Sequence, residues 1–220
     1  MAKVFQQKAR GSACRPQNIN ILIAAEGKNA TETNYFRSFN REHAGFVIHF
    51  VRKGSTDPKN MMKDLADAWK SLKLSIEKGD KAFIVLDLDC DIYAEKLKQI
   101  IQLSKKNKHV TFIVSNPCFE VWFLMHYLYS THPFANSGEV IQALDAKNCI
   151  PGYGKSMNVY HWIKDNLYTA LANSEKLDQF YNSQGLVWPS NQCSPRTDVP
   201  KLINLLLDIE KSYMASISSH

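Results

Sequence analysis

Residues 81–91 read KAFIVLDLDCD. The run from Ala82 to Leu86 is apolar, rich in strand formers and bounded by charge, which is the pattern of a buried strand. Three carboxylates follow at alternate positions, Asp87, Asp89 and Asp91. Side chains of an extended chain alternate with period two, so Asp87 and Asp89 point to one side. In α/β sheets, functional groups gather at the carboxyl ends of the strands. Two carboxylates on one side repel each other unless a cation lies between them. A hard divalent ion with oxygen ligands, Mg²⁺ or Mn²⁺, suits that place. The plainer reading has one aspartate capping the next helix and the others solvated.

Three further segments share the strand pattern: 18–25 (NINILIAA), 45–52 (GFVIHFVR) and 109–115 (HVTFIVS). Between them lie helical patterns. One follows Thr31, read as an N-cap, with Tyr35, Phe36 and Phe39 on its core face. A second covers 60–78 with Met61, Leu65, Ala68, Leu72 and Ile76 in register. A third covers 92–105 with Tyr93, Leu97, Ile100 and Ile101 inward. This alternation predicts an α/β fold with a mostly parallel, four-stranded sheet and helices on both faces.

Glu26 ends the first strand, as Asp87 ends the third, and Gly27 allows the tight turn that follows. Glu32 reads as a favourable first-turn charge. After the fourth strand comes SNPCFE (115–120). Pro117 suits a first helical position, which brings Glu120 to the same sheet edge. Residues 121–129 (VWFLMHYLY) are apolar nearly all round and predict a buried helix or an interface.

From Thr131 the composition changes. Short helices are predicted at 139–145, 159–171 and 174–181. The last, at 198–214, carries a stripe of Leu202, Leu205, Leu206 and Ile209. The chain thus divides into a basic, solvated arm (1–18), an α/β core (19–130) and a helical appendage packed on it (131–220). The arm carries Lys3, Lys8, Arg10 and Arg15 and no acidic residue, so it could also touch phosphates.

The 220 residues are 45% hydrophobic and carry a net charge of +6, which suits an anionic partner such as nucleic acid. The five cysteines are scattered and form no C-x-x-C pair, which argues against a zinc knuckle or a disulfide framework. The amino terminus lacks the apolar core of a signal peptide. The longest apolar-rich stretch, 119–129, is too short to span a bilayer. The expected location is the cytoplasm, with no membrane partner. Walker-type and G-x-G-x-x-G phosphate loops are absent.

Glu26, Asp87, Asp89 and Glu120 therefore converge on one edge, and no Ser-His-Asp or Cys-His arrangement competes with them. Carboxylates with Mg²⁺ are what phosphoryl chemistry requires. Lys155, after Gly152 and Gly154, could neutralise charge developing on a phosphate.

A strand ending in Glu-Gly and a later strand ending in Asp-x-Asp resemble the Toprim domain of topoisomerases, primases and OLD-type nucleases. More narrowly, EGKNATE (26–32), DLDCD (87–91), SNPCFEVWFLMH (115–126), GYGK (152–155) and SPRTDVPKLI (194–203) resemble the RloB-like family. The resemblance implies a Toprim-like, metal-dependent nuclease of prokaryotic defence against phage, encoded beside an ATPase that holds it in check. It implies Glu26 as metal ligand or general acid/base, and Asp87 and Asp89 as metal ligands. Ser115 and Glu120 would belong to a second metal position. Lys155 and Lys28 would contact substrate, with Ser115 beside them. Homodimerisation is compatible with this reading. The competing class is a non-catalytic Toprim-like module that binds nucleic acid or an ATPase partner. A topoisomerase- or primase-like strand transferase ranks third.

Overall fold

The computed structural model describes residues 17–26, 30–52, 54–88, 93–146 and 149–218. The arm at 1–16, Lys28, and Asp89 to Asp91 lie outside the described residues. Four parallel strands form where the apolar runs predict them: β1 (Ile19–Ala25), β2 (Phe46–Phe50), β3 (Lys81–Asp87) and β4 (Val110–Asn116). A fifth strand, β5 (Arg196–Thr197), pairs antiparallel with β4, and the order is β2-β1-β3-β4-β5. The sheet therefore has five strands rather than four. A two-residue strand has no periodicity to read. It is fixed instead by contacts: the Asp198 N–H donates to the Val114 carbonyl at 2.8 Å, and the Ser115 and Thr197 hydroxyls share a hydrogen bond of 2.8 Å.

Alternation along the strands builds two cores. Leu22, Ala24, Ile84, Leu86 and Val114 face α2 (Pro58–Ser71) and α3 (Tyr93–Lys106), meeting Met61, Leu65 and Ile100. Ile21, Ile23, Phe83, Val85 and Ile113 face the other way. There they meet α1 (Thr31–Arg37), α4 (Glu120–Met125) and the helices after residue 131. These are α5 (Ser137–Ala146), α6 (Tyr160–Ile163), α7 (Leu167–Ser183) and α8 (Val199–Ser218). The second core is continuous from the sheet into these helices, with Val140, Leu144, Ile163, Leu177 and Leu202 all buried. No helix of the described residues is long and apolar enough to cross a membrane.

Several helix limits differ from expectation. The α2 helix starts at Pro58, where the Asp57 carboxylate accepts the Asn60 N–H at 3.0 Å. It stops at Ser71 because Lys73 adopts φ 53°, so Leu72 and Ile76 leave the helical register and are exposed. Thr31 is the first helical residue rather than the cap; its Oγ1 accepts the Ser156 N–H at 3.0 Å. Pro117 precedes α4 by three residues rather than opening it. The α4 helix ends at Met125, which leaves Tyr129 exposed. The helices expected at 159–171 and 174–181 divide differently, into the short α6 (Tyr160–Ile163) and the long α7 (Leu167–Ser183), which runs through the expected break.

Gly45 shows how tightly α8 is seated. It has φ +76°, and a Cβ placed there would lie 2.5 Å from Tyr213 Cβ of α8. Carbon atoms prefer about 3.5–4.0 Å, and the left-handed backbone costs an alanine a further 1–2 kcal/mol or so. Gly45→Ala should therefore lose about 3 kcal/mol in urea unfolding. A loss no larger than the roughly 1–2 kcal/mol of the left-handed backbone alone would show that α8 yields at no cost.

Candidate functional site

The carboxyl ends of β1 and β3 lie side by side, and their acidic residues meet directly. The Asp87 N–H donates to Glu26 Oε2 at 2.9 Å. Lys96 Nζ donates to both Glu26 oxygens at 2.8 Å, and its side chain is only 2% exposed. Lys96 lies on α3 four residues before Ile100, so both fall on the inward face. Ile101, predicted inward, is exposed instead. A lysine in a helical pattern ordinarily reads as solvated, and this one was not legible in the sequence.

A second pair of acids joins from the other face of the sheet. Glu32, in the first turn of α1, is buried rather than a solvated first-turn charge. Its Oε2 has no hydrogen-bond partner among the described residues. Burial is the main reason that its carboxyl is pushed up to about 8; the charges of Glu120 and Glu26 add to the rise and that of Lys155 opposes it. Glu120 is buried at the start of α4, and its Oε1 accepts the Tyr153 hydroxyl at 2.9 Å. Burial also raises the Tyr153 phenol, helped by Glu120. Cys118 is fully buried, and burial, then the charges of Glu120 and Asp87, push its thiol well above the ordinary range. Its electrostatic neighbours tie the β3 acid to the α4 acid.

The segment carrying Tyr153 and Lys155 is docked on α1. Ser156, at φ 72°, donates its N–H to Thr31 Oγ1, accepts the Ala30 N–H on its hydroxyl at 3.2 Å, and accepts Asn34 Nδ2 on its carbonyl at 2.9 Å. These bonds span more than 120 residues of sequence, and they bring exposed Lys155 near Glu32. Ser115 is the register partner of Asp87 across β3 and β4, but its hydroxyl is buried and bonded to Thr197.

Among the described residues, no three His, Cys, Asp or Glu side chains stand close enough together to hold a metal ion. The donor chemistry is nonetheless that of a hard cation, with carboxylate oxygens only and the buried Glu32 Oε2 lacking a donor. Asp89 lies outside the described residues.

A comparison with curated proteins and with solved structures finds no match. The family model for RloB-like proteins matches residues 21–206, which includes every acidic residue described above, and the chain belongs to the RloB-like protein family.

Proposed function

We propose that the chain is a divalent-metal-dependent phosphodiesterase acting on nucleic acid, built on a Toprim-like scaffold. The observation that carries this reading is the convergence of Glu26, Asp87, Glu32 and Glu120 on one sheet edge, with Lys155 beside them. Mg²⁺ or Mn²⁺ would be held by Glu26 and Asp87, with Asp89 following in sequence, and by Glu32 with Glu120. Bound there, it would activate a water and stabilise the leaving oxygen.

The chain's own residues have separable tasks. Lys96 and the Asp87 N–H fix the Glu26 carboxylate in one orientation. Tyr153 does the same for Glu120. Lys155, exposed and near these acids, supplies the charge that meets a phosphate oxygen. The family resemblance further suggests a cytoplasmic protein of anti-phage defence working with an ATPase.

The test is cleavage of labelled plasmid, single-stranded DNA and total tRNA in Mg²⁺, in Mn²⁺ and in EDTA. Metal-dependent cutting is expected, and Asp87→Ala should reduce it by at least about 100-fold while the variant still unfolds cooperatively. Millimolar Mg²⁺ should also raise the melting temperature of the wild type and not of the variant.

The engagement of Glu26 by Lys96 favours a second reading, a binding module whose acidic edge is already neutralised. No cutting by wild type, with no thermal shift in either metal, would select that reading over the enzyme.

A further inference from the structure

A cavity of about 520 Å³ opens at the same edge of the sheet, on the side of β4 and β5. That volume lies within the range of small-ligand sites, about 300–1,000 Å³. Leu88, fully buried, and Asn116 form part of its wall, and His132, Phe134, Glu139 and Ser194 complete most of the rest. Leu88 directly follows Asp87, so the wall begins about 3.8 Å, Cα to Cα, from a proposed metal ligand.

The walls are held in place. Asn116 Nδ2 donates to the carbonyls of Ser190, Asn191 and Cys193 at 3.2, 3.4 and 2.9 Å. The Ser194 hydroxyl donates to the Phe134 carbonyl at 2.9 Å and accepts its N–H at 3.3 Å. These bonds tie the loop before β5 to both β4 and the loop before α5.

The lining also indicates what it would take. Among its described residues there is no lysine or arginine and there is one carboxylate, so the cavity repels a phosphate. It offers aromatic surface instead: the His132 and Phe134 rings meet at 5.9 Å and 88°. Glu139 Oε2 accepts the Ala135 N–H at 2.8 Å, which leaves its other oxygen available for an exocyclic amine. An aromatic, uncharged-to-acidic cavity one residue from a phosphate-handling edge matches a nucleobase whose own phosphate rests outside. A base can enter only when it is unstacked, as in a single strand or a flipped nucleotide.

We infer that this cavity seats one base of a single-stranded nucleic acid and so makes single strands, rather than duplexes, the preferred substrate. The inference rests on the phosphodiesterase reading for its orientation, but its test does not require cutting. Fluorescence anisotropy in EDTA on the full chain would compare labelled DNA and RNA strands, the same strands with one abasic position, and a blunt duplex. The wild type should bind a strand about ten-fold more tightly than the duplex, and Phe134→Ala should remove most of that advantage while leaving duplex binding unchanged. His132→Ala, an exposed change, should weaken strand binding in the same direction. An abasic position should cost as much as Phe134→Ala in one register of the strand.

Equal affinity for strand and duplex, or strand binding unmoved by both substitutions, would overturn the base seat. Strand preference that responds to them, in a protein that cuts nothing in Mg²⁺, would keep the seat and reject the phosphodiesterase. Stronger effects with RNA than with DNA, or the reverse, would name the sugar.

Discussion

Lys96→Met should destabilise the protein by about 3–5 kcal/mol, the usual result of removing one partner of a buried ion pair. The Lys96 side chain is 2% exposed and Glu26 only 12%, and both Glu26 oxygens lie 2.8 Å from Nζ. Methionine replaces the aliphatic stem, so little packing is lost; what changes is the balance of charge around a shielded carboxylate. For a chain of this size each kcal/mol moves the melting temperature by about 2–4 °C, so the expected drop is on the order of 10 °C. The partner substitution separates charge from packing. Replacing both members of a buried pair by neutral groups is often nearly neutral, so adding Glu26→Gln to Lys96→Met should recover most of the loss. A double-mutant cycle in urea should give a coupling of at least about 2 kcal/mol. A loss below about 1 kcal/mol for Lys96→Met, or a double variant no better than the single one, would mean that Lys96 is held by packing alone and Glu26 does not depend on it.

The division between what sequence disclosed and what it concealed follows from the range of the interactions. The four parallel strands are continuous apolar runs, because both faces of a parallel sheet are covered. Those runs located β1 to β4 and put Glu26 and Asp87 at strand ends, while Glu120 was read from the segment that follows β4 and opens α4. Burial of Tyr35, Phe36 and Phe39, and of Leu202 and Leu206, likewise followed local periodicity. Lys96 and Glu32 were hidden for opposite reasons. Lys96 breaks its helix pattern because its charge is answered by a residue 70 positions away. Glu32 obeys the rule for a first-turn acid, yet it is buried where the segment around Ser156 folds over α1. The β5 strand depends on Asp198, Thr197 and the β4 edge together, and none of these signals itself in two residues.

Glu32 gives the stability of the metal-free protein a slope in pH. Its carboxyl titrates near 8 in the folded chain against 4.5 as a reference. A raised value means that the folded state keeps a proton which the unfolded state has lost. That stabilisation is complete below pH 4.5 and is lost as pH rises to about 8. His126 acts in the opposite direction. Burial lowers it from 6.5 to about 4, so its contribution grows as pH rises to 6.5. The two slopes oppose one another between pH 4.5 and 6.5, and above 6.5 the Glu32 slope stands without that opposition. It amounts to about 1.36 kcal/mol per pH unit. In EDTA, unfolding free energy should therefore fall by about 2 kcal/mol between pH 6.5 and 8, and Glu32→Gln should flatten the line over that interval. A slope that persists in Glu32→Gln would assign it elsewhere. Mg²⁺ supplies the converse arm: a cation held by Glu32 with Glu120 would favour the ionised carboxylate and drive the proton off. In saturating Mg²⁺ the wild-type slope should shrink toward that of the glutamine variant. If instead the slope is the same in Mg²⁺ as in EDTA, no ion shares the edge with Glu32, and the two acids from α1 and α4 serve the fold rather than the chemistry.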